Sequence, residues 1–298
     1  MLKKVFSSPD LRAHIVFKGG TSLSKVFGLI ERFSEDIDLI LDWRLLGYGP
    51  GQIDPYRDHP SRTQRDRFNR EFNQRAAAYI AETLCPRLIR LFSSCTELAV
   101  GIDADDPQVV RVNYPAAFPA HYLRPEIRLE IGPLASFVPS GHHTIVPYAA
   151  EEFPDVFDSA ACPVVAVDAE RTFWEKATIL HQQAHRTTPM PPDYTRHYYD
   201  VFMLAGSPVR ASALADPALL RDVVRFKERF YRCSWAQYDL ARPGTFRLIP
   251  PAERLVALRR DYRAMTEMIL GIVPDFGAIV AALSELEEAI NRLAPAES

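Results

Sequence analysis

No two cysteines in this chain form a C-x-x-C pair: Cys85, Cys95, Cys162 and Cys233 are scattered. That scatter disfavours a zinc knuckle and a disulfide framework, and fits a reducing compartment. No apolar run approaches the ~18 residues that a membrane span needs. The opening residues, MLKKVFSSPD, have two lysines but no apolar stretch of the kind a signal peptide carries. The expected setting is the cytoplasm, without a membrane partner. Neither sign of charge dominates: the formal net charge is −3, which argues against bulk attraction to nucleic acid and leaves room for a local basic patch. What is present is ordinary for a globular chain. The 298 residues are 47% apolar and 24% charged, enough for one large domain or two medium ones around a substantial core.

The informative stretch runs from Lys18 to Leu41, KGGTSLSK followed by RFSEDIDLIL. Gly19 and Gly20 allow positive φ and a close approach of backbone to a phosphate. Thr21 or Ser22 is expected to cap a helix over about 21–30, aiming free N–H groups at the turn. The turn has neither the P-loop nor the dinucleotide-binding glycine spacing, and alone it is equally a plain strand-to-helix connection. Asp36 and Asp38 follow on a predicted strand, 36–41. Side chains alternate along a strand, so both carboxylates face one side while Ile37 and Leu39 face the other. A solvated edge is the plain alternative for such a pair, and Asp42 at the same parity favours it slightly. The apolar flanks instead point to a buried strand end, where two carboxylates need a cation. Mg²⁺ suits them, because it prefers carboxylates, waters and substrate phosphates.

Further along, a strand is expected over 14–17 and an amphipathic helix over 62–92. Strands are expected over 97–102, 109–114 and 126–131. Residues 132–163 read as irregular, and helices dominate afterwards at about 169–185, 194–206, 211–233, 252–270 and 275–293. The chain therefore divides into a mixed α and β half, 1–155, and a helical half, 156–298, with a ligand cleft expected between two lobes.

Together the diglycine turn and the Asp-x-Asp strand resemble the nucleotidyltransferase superfamily that includes DNA polymerase beta. More narrowly, KGGTSLSK with RFSEDIDL resembles the AbiEii family of nucleotidyltransferase toxins, the toxic half of type IV toxin–antitoxin pairs, which includes the MenT toxins. The resemblance continues at ERTFWEKATILH (170–181), at RHYYD (196–200) and at Asp261-Tyr262. Family members often have an aromatic-rich helix ahead of the first strand, where this chain has about a dozen residues. The resemblance implies an α+β fold: a polymerase-beta-like nucleotidyltransferase α/β lobe followed by a mainly helical lobe. It also implies an NTP substrate, Mg²⁺ or Mn²⁺, a cognate antitoxin, and an RNA acceptor such as the tRNA 3′ end, whose modification blocks translation.

The remaining site residues follow from physics and resemblance together. Lys176 lies on a helix face with Phe173, Ala177 and Leu180; a lysine there must snorkel or meet an anion, and the triphosphate is the expected one. Asp200 has a plain explanation in an ion pair with Arg196 at i−4, while the resemblance makes it a general base on the acceptor hydroxyl. Glu130 is either a third metal carboxylate or an exposed residue paired with Arg128. His181 and His185 stand at a metal-ligand spacing without the H-E-x-x-H glutamate and read as helix-surface residues. Phosphorylation of Ser34 would repel the triphosphate. The basic run Arg221, Arg225, Lys227, Arg229 and Arg232 is either an amphipathic helix face or a contact for RNA or triphosphate, and the resemblance singles out Lys227. The expected set is thus Asp36, Asp38 and Glu130 for metal; Gly19, Gly20, Thr21, Ser22 and Lys227 for nucleotide; and Lys176 and Asp200 for catalysis. The competing readings are a small-molecule nucleotidyltransferase of the aminoglycoside-modifying kind and a nucleotide-binding module without turnover.

Overall fold

In the computed structural model, all residues are described except 35, 58, 60, 117–124, 134–135, 158 and 295–298. The chain forms two units. The first comprises Met1–Val26 and Ser34–Val167; the second comprises Phe27–Phe33 and Asp168–Ser298. The boundary therefore falls at Val167, not at 155, and the second unit takes a seven-residue segment from between the turn and the Asp-x-Asp strand.

The first unit is built on a seven-stranded mixed sheet. Its strands are β1 Ile15–Lys18, β2 Asp36–Leu41, β3 Ala99–Ile102, β4 Val109–Asn113, β5 Glu126–Gly132, β6 Ser140–Ile145 and β7 Cys162–Val167. They lie in the order β3-β4-β5-β2-β1-β7-β6. β2 runs antiparallel to β1 and parallel to β5, so the Asp-x-Asp strand is interior to the sheet. Its helices are α1 Leu2–Ser7, α2 Pro9–Arg12, α3 Gly19–Lys25, α4 Arg62–Tyr79, α5 Cys85–Phe92 and α6 Tyr148–Glu152. α1 packs on β7 and α5 on β3. On α4, Phe68, Phe72 and Ala76 recur every four residues and are buried, the stripe that amphipathic periodicity dictates. Phe72 meets Tyr48 with ring centroids 4.2 Å apart.

Two departures from the sequence reading have clear causes. The single helix expected over 62–92 is interrupted by a π-helical turn, Ile80–Leu84. Pro86 follows in the first turn of α5. Proline has no N–H to give the preceding turn, and the wider turn absorbs that loss. The stretch read as irregular, 132–163, contains β6, α6 and the first residues of β7. β6, SGHHTI, is a sheet-edge strand and lacks the apolar alternation that marks a strand. In β7, Pro163 argues against a strand on composition. It pairs with Thr144 of β6, whereas the register with β1 involves only Ala166.

The second unit contains α7 Ala169–Ala184, α8 Thr195–Ala205, α9 Val209–Ala215, α10 Pro217–Phe230, α11 Ala252–Met265 and α12 Phe276–Asn291. α7 packs against α8, α9 and α10, and α8 against α11 and α12. Phe173, Trp174, Ala177 and Leu180 of α7 are fully buried, and Trp174 Nε1 donates to the Ala213 carbonyl at 3.2 Å. The helix expected over 211–233 is two helices, because Pro217 starts a new one and Asp216 caps it by accepting from the amides of Ala218 and Leu219. Asp261 does similar work for α8, accepting from the Thr195 amide at 3.0 Å and the Thr195 hydroxyl at 2.6 Å. The segment Phe27–Phe33 is stitched into this unit: the Phe33 amide donates to Met268 O at 2.7 Å, and the Leu270 amide to Glu31 O at 2.7 Å. α3 stops at Lys25 and does not run on to residue 30; Gly28 follows with φ +60°, outside the helical region. No helix among the described residues is long and apolar enough to cross a membrane.

Candidate active site

Strand register collects the charges. Asp36 of β2 lies opposite Arg128 of β5; Asp38 lies opposite Glu130 of β5 on one side and Lys18 of β1 on the other. Residues in register on neighbouring strands point to the same side of a sheet. These three carboxylates and two cations therefore share one face, together with Glu126 of β5 and Arg111 of β4. The other face carries Phe17, Leu39, Leu129 and Ile131, all buried. Because the hydrophobic face is committed to the core, a one-residue slip is forbidden and the acidic face is fixed.

The diglycine turn lies against this face. Gly19 has φ +82°, and a Cβ placed on it would collide with the Asp38 carboxylate. Glycine is needed here twice, for its backbone angle and for the close approach. Gly20 is buried within α3. The expected capping by Thr21 or Ser22 does not occur: Lys18 holds the N-cap position, without a side-chain cap, and both residues lie inside the helix. Thr21 instead donates its hydroxyl to the Asp36 carbonyl at 2.6 Å, tying α3 to the strand. The Ser22 hydroxyl donates to the Gly19 carbonyl at 2.9 Å. At the other end of α3, Lys25 reaches the Val146 carbonyl at 3.2 Å and Glu151 at 3.4 Å. Asp42, at the same parity as the acidic pair, caps the turn Trp43–Leu46 and pairs with Arg44 at 2.6 Å.

The donor set fits a divalent cation. Burial raises the pKa of Glu130, Asp36 and Asp38 raise it further, and Arg128 and Lys18 oppose them. A carboxylate raised by its neighbours in this way is one whose ionised form a cation would favour. All three groups are hard oxygen donors, which suits Mg²⁺ or Mn²⁺. Among the described residues, no three His, Cys, Asp or Glu side chains already converge as a metal-holding group. The Asp36 carboxylate instead meets Arg128 Nε at 3.4 Å. Pairing of Arg128 with Glu130, two residues along its own strand, was one of two alternatives; its ion pairs go to Asp36, Asp103 and, at 4.0 Å, Glu126.

In the second unit Asp200 is completely buried, and its partners differ from the expected Arg196, which is exposed. Arg32 holds the carboxylate bidentately, Nε at 2.7 Å and Nη2 at 2.8 Å, and Lys176 Nζ lies 2.7 Å away. Arg32 and Lys176 are themselves buried. Burial alone would raise the Asp200 pKa; Lys176 and Arg32 outweigh it and hold the group far below the usual carboxylate range. So held, the carboxylate is a poor proton acceptor. Its geometry is that of a group that fixes the Lys176 ammonium. The neighbouring His197 is kept neutral by burial and by the Lys176 charge.

The sequence profile of the family described as "Nucleotidyl transferase AbiEii toxin, Type IV TA system" matches residues 1–291. The chain belongs to the AbiEii family of nucleotidyltransferase toxins. As an AbiEii member it is a nucleotidyltransferase, and a type IV toxin of this kind implies an antitoxin partner and an NTP substrate. Among solved structures it is similar to MenT4, the nucleotidyltransferase toxin Rv2826c of Mycobacterium tuberculosis H37Rv, at 16% identity and TM-score 0.40. That match covers 99% of this chain and 90% of the other. It is similar also to JHP933 of Helicobacter pylori, at 15% identity and TM-score 0.44, over 98% of this chain and 88% of that one. A nucleotidyltransferase from H. pylori described as putative matches at 15% identity and TM-score 0.42, over 98% and 90%. No curated protein matches the chain.

For this AbiEii protein, three residues outside the expected set emerge from the coordinates: Arg32, Arg128 and Lys18. Arg32 and Lys18 flank the very motifs that drew attention, and the signal was their charge beside residues expected to be buried. His181, expected on a helix surface, is fully buried. Its Nε2 bonds the Gln237 carbonyl at 2.9 Å, and its Nδ1 accepts from the Arg247 amide at 3.0 Å. Both ring nitrogens are thereby satisfied by backbone, and the histidine joins loops without binding metal. Lys227 lies on α10 with Nζ 5.3 Å from the Tyr231 ring centre. Ser34 is half-buried, at the point where the chain rejoins the first unit.

Proposed function

We propose that this AbiEii protein transfers a nucleoside monophosphate from an NTP to the 3′ end of tRNA and so blocks translation in the cytoplasm. The acceptor hydroxyl oxygen bonds to the α-phosphorus, the bond from that phosphorus to the bridging oxygen of the β-phosphate breaks, pyrophosphate leaves, and the hydroxyl proton passes to solvent. The observation that carries this reading is the shared face of Asp36, Asp38 and Glu130 beside Gly19. Those three residues would hold a divalent ion, Mg²⁺ or Mn²⁺, which supplies neutralisation of charge on the reacting phosphate. The turn from Gly19 to Ser22 gives the triphosphate a close backbone approach. Within the second unit, Asp200 positions the Lys176 ammonium. The basic residues of α10, exposed Arg221 and Arg225 with half-buried Lys227, favour a polyanionic acceptor over a small aminoglycoside-like molecule.

Incubation of the purified protein with each α-labelled NTP, Mg²⁺ and total RNA tests this. Label on tRNA supports the reading. Label confined to small acceptors would replace it with small-molecule transfer, and nucleotide binding without label would make the protein a non-catalytic module. Asp36→Ala and Asp38→Asn are each expected to lower transfer roughly 100-fold or more, since even outer partners of a metal site are worth 10- to 100-fold.

A further inference from the structure

We propose that Arg128 is an internal counter-cation that occupies Asp36 until a divalent ion displaces it, and that Asp103 is the place to which the guanidinium withdraws. The inference rests on the metal reading of the Asp36, Asp38 and Glu130 face given above.

The geometry of Arg128 is divided between two partners. It stands in register with Asp36 and two residues before Glu130, so its side chain shares the acidic face. Nε is 3.4 Å from Asp36 Oδ1, while Nη1 donates to Asp103 Oδ2 at 3.2 Å. The link to Asp36 is one long contact, not a bidentate fork. The Asp103 end is embedded in a network. Asp103 Oδ1 accepts from the amides of Asp105 and Asp106 at 2.9 and 3.1 Å, and its Oδ2 also meets Arg111 Nε at 3.3 Å. Glu126 lies 4.0 Å from Arg128 Nη1 and 3.6 Å from Arg111. A guanidinium that leaves Asp36 thus keeps Asp103 and has Glu126 within reach, so its release strands no charge.

Charge balance gives the exchange its direction. Asp36, Asp38, Glu130 and Glu126 bring four negative charges to the face, and Lys18, Arg128 and Arg111 supply three positive ones. A monovalent guanidinium can pair closely with one of these carboxylates, whereas a divalent ion can be shared by several at once and suits hard oxygen donors better. The displaced cation also repels an arriving one, so Arg128 lowers the affinity for a free metal ion while keeping the unloaded face compact.

Mn²⁺ binding to the full-length, metal-free protein, read by electron paramagnetic resonance, tests this without reference to turnover. Arg128→Gln is expected to tighten Mn²⁺ binding about fivefold, equivalent to about 1 kcal/mol, the upper range for a partly exposed ion pair. Asp103→Asn keeps the amide-accepting oxygen but removes the charge at the withdrawal site, and is expected to weaken Mn²⁺ binding by several fold. Opposite shifts in the two variants support the proposal. Unchanged or same-direction shifts overturn it. If Asp36→Asn abolishes Mn²⁺ binding while the Arg128 and Asp103 variants leave it unchanged, the metal reading stands and only the role of Arg128 falls. If the wild-type chain binds no Mn²⁺ that Asp36→Asn removes, both fall.

Discussion

Gly19 shows how much can depend on one missing side chain. Its φ of +82° is costly for any residue with a Cβ, and the space where that Cβ would go belongs to the Asp38 carboxylate. Gly19→Ala is therefore expected to cost about 1–3 kcal/mol in stability and to displace Asp38 as well. Urea unfolding and the labelled-NTP assay check the two effects, and the loss of transfer should exceed what the stability change explains. A variant that keeps full transfer would mean that the approach of Asp38 to the turn has no catalytic meaning. The need for glycine was legible in the chain; its cause was not. The diglycine signals a permissive backbone, but sequence does not say that a carboxylate two strand positions past Asp36 is what comes close.

At the level of elements, β2 and the outlines of most helices were legible in local patterns, whereas the breaks near Pro86 and Pro217, the strands β6 and β7, and the long-range pairings were not. β2 was found at its true limits because the Asp-x-Asp pair marks its start and the apolar run Leu39–Leu41 its buried end. The buried trio was invisible because Arg32 and Asp200 are 168 positions apart, and nothing local to α8 announces Arg32. The helix spacing offered Arg196 instead, an i−4 neighbour that faces solvent. These two readings differ sharply in energy. Asp200→Asn leaves two buried cations uncompensated and is expected to destabilise the protein by about 3–5 kcal/mol. Arg196→Ala, at an exposed site, should stay within about 0.5 kcal/mol. Chemical denaturation of both variants separates them. Arg128 teaches the same lesson for strands. Neighbours two apart on one strand looked like partners, but the register with β2, which sequence does not supply, offers Arg128 a different carboxylate. Pro163 and Pro217 each reversed an assignment, one by sitting in a strand and the other by starting a helix inside an expected one.

Across the whole molecule, buried histidine sets a pH limit. The His181 pKa falls to about 4, chiefly from burial. The ordinary value is 6.5, so between pH 6.5 and about 4 the unfolded chain binds a proton there that the folded chain refuses. Stability therefore rises with pH through this window and is lost as pH falls through it, by up to about 3 kcal/mol from this residue. Above pH 6.5 the residue contributes no pH dependence. His181→Gln should flatten the slope of unfolding free energy between pH 6.5 and 4, as measured by denaturant titration at several pH values. An unchanged slope would shift the burden to other groups such as His197.

The loan of Phe27–Phe33 to the helical unit bears on how such toxins diversify. A chimaera spliced at Val167 would take Arg32 from one parent and Asp200 from the other, so a single crossover there cannot inherit the helical unit intact. Recombination between distant relatives must either keep an arginine at that upstream place or exchange the short loop as well.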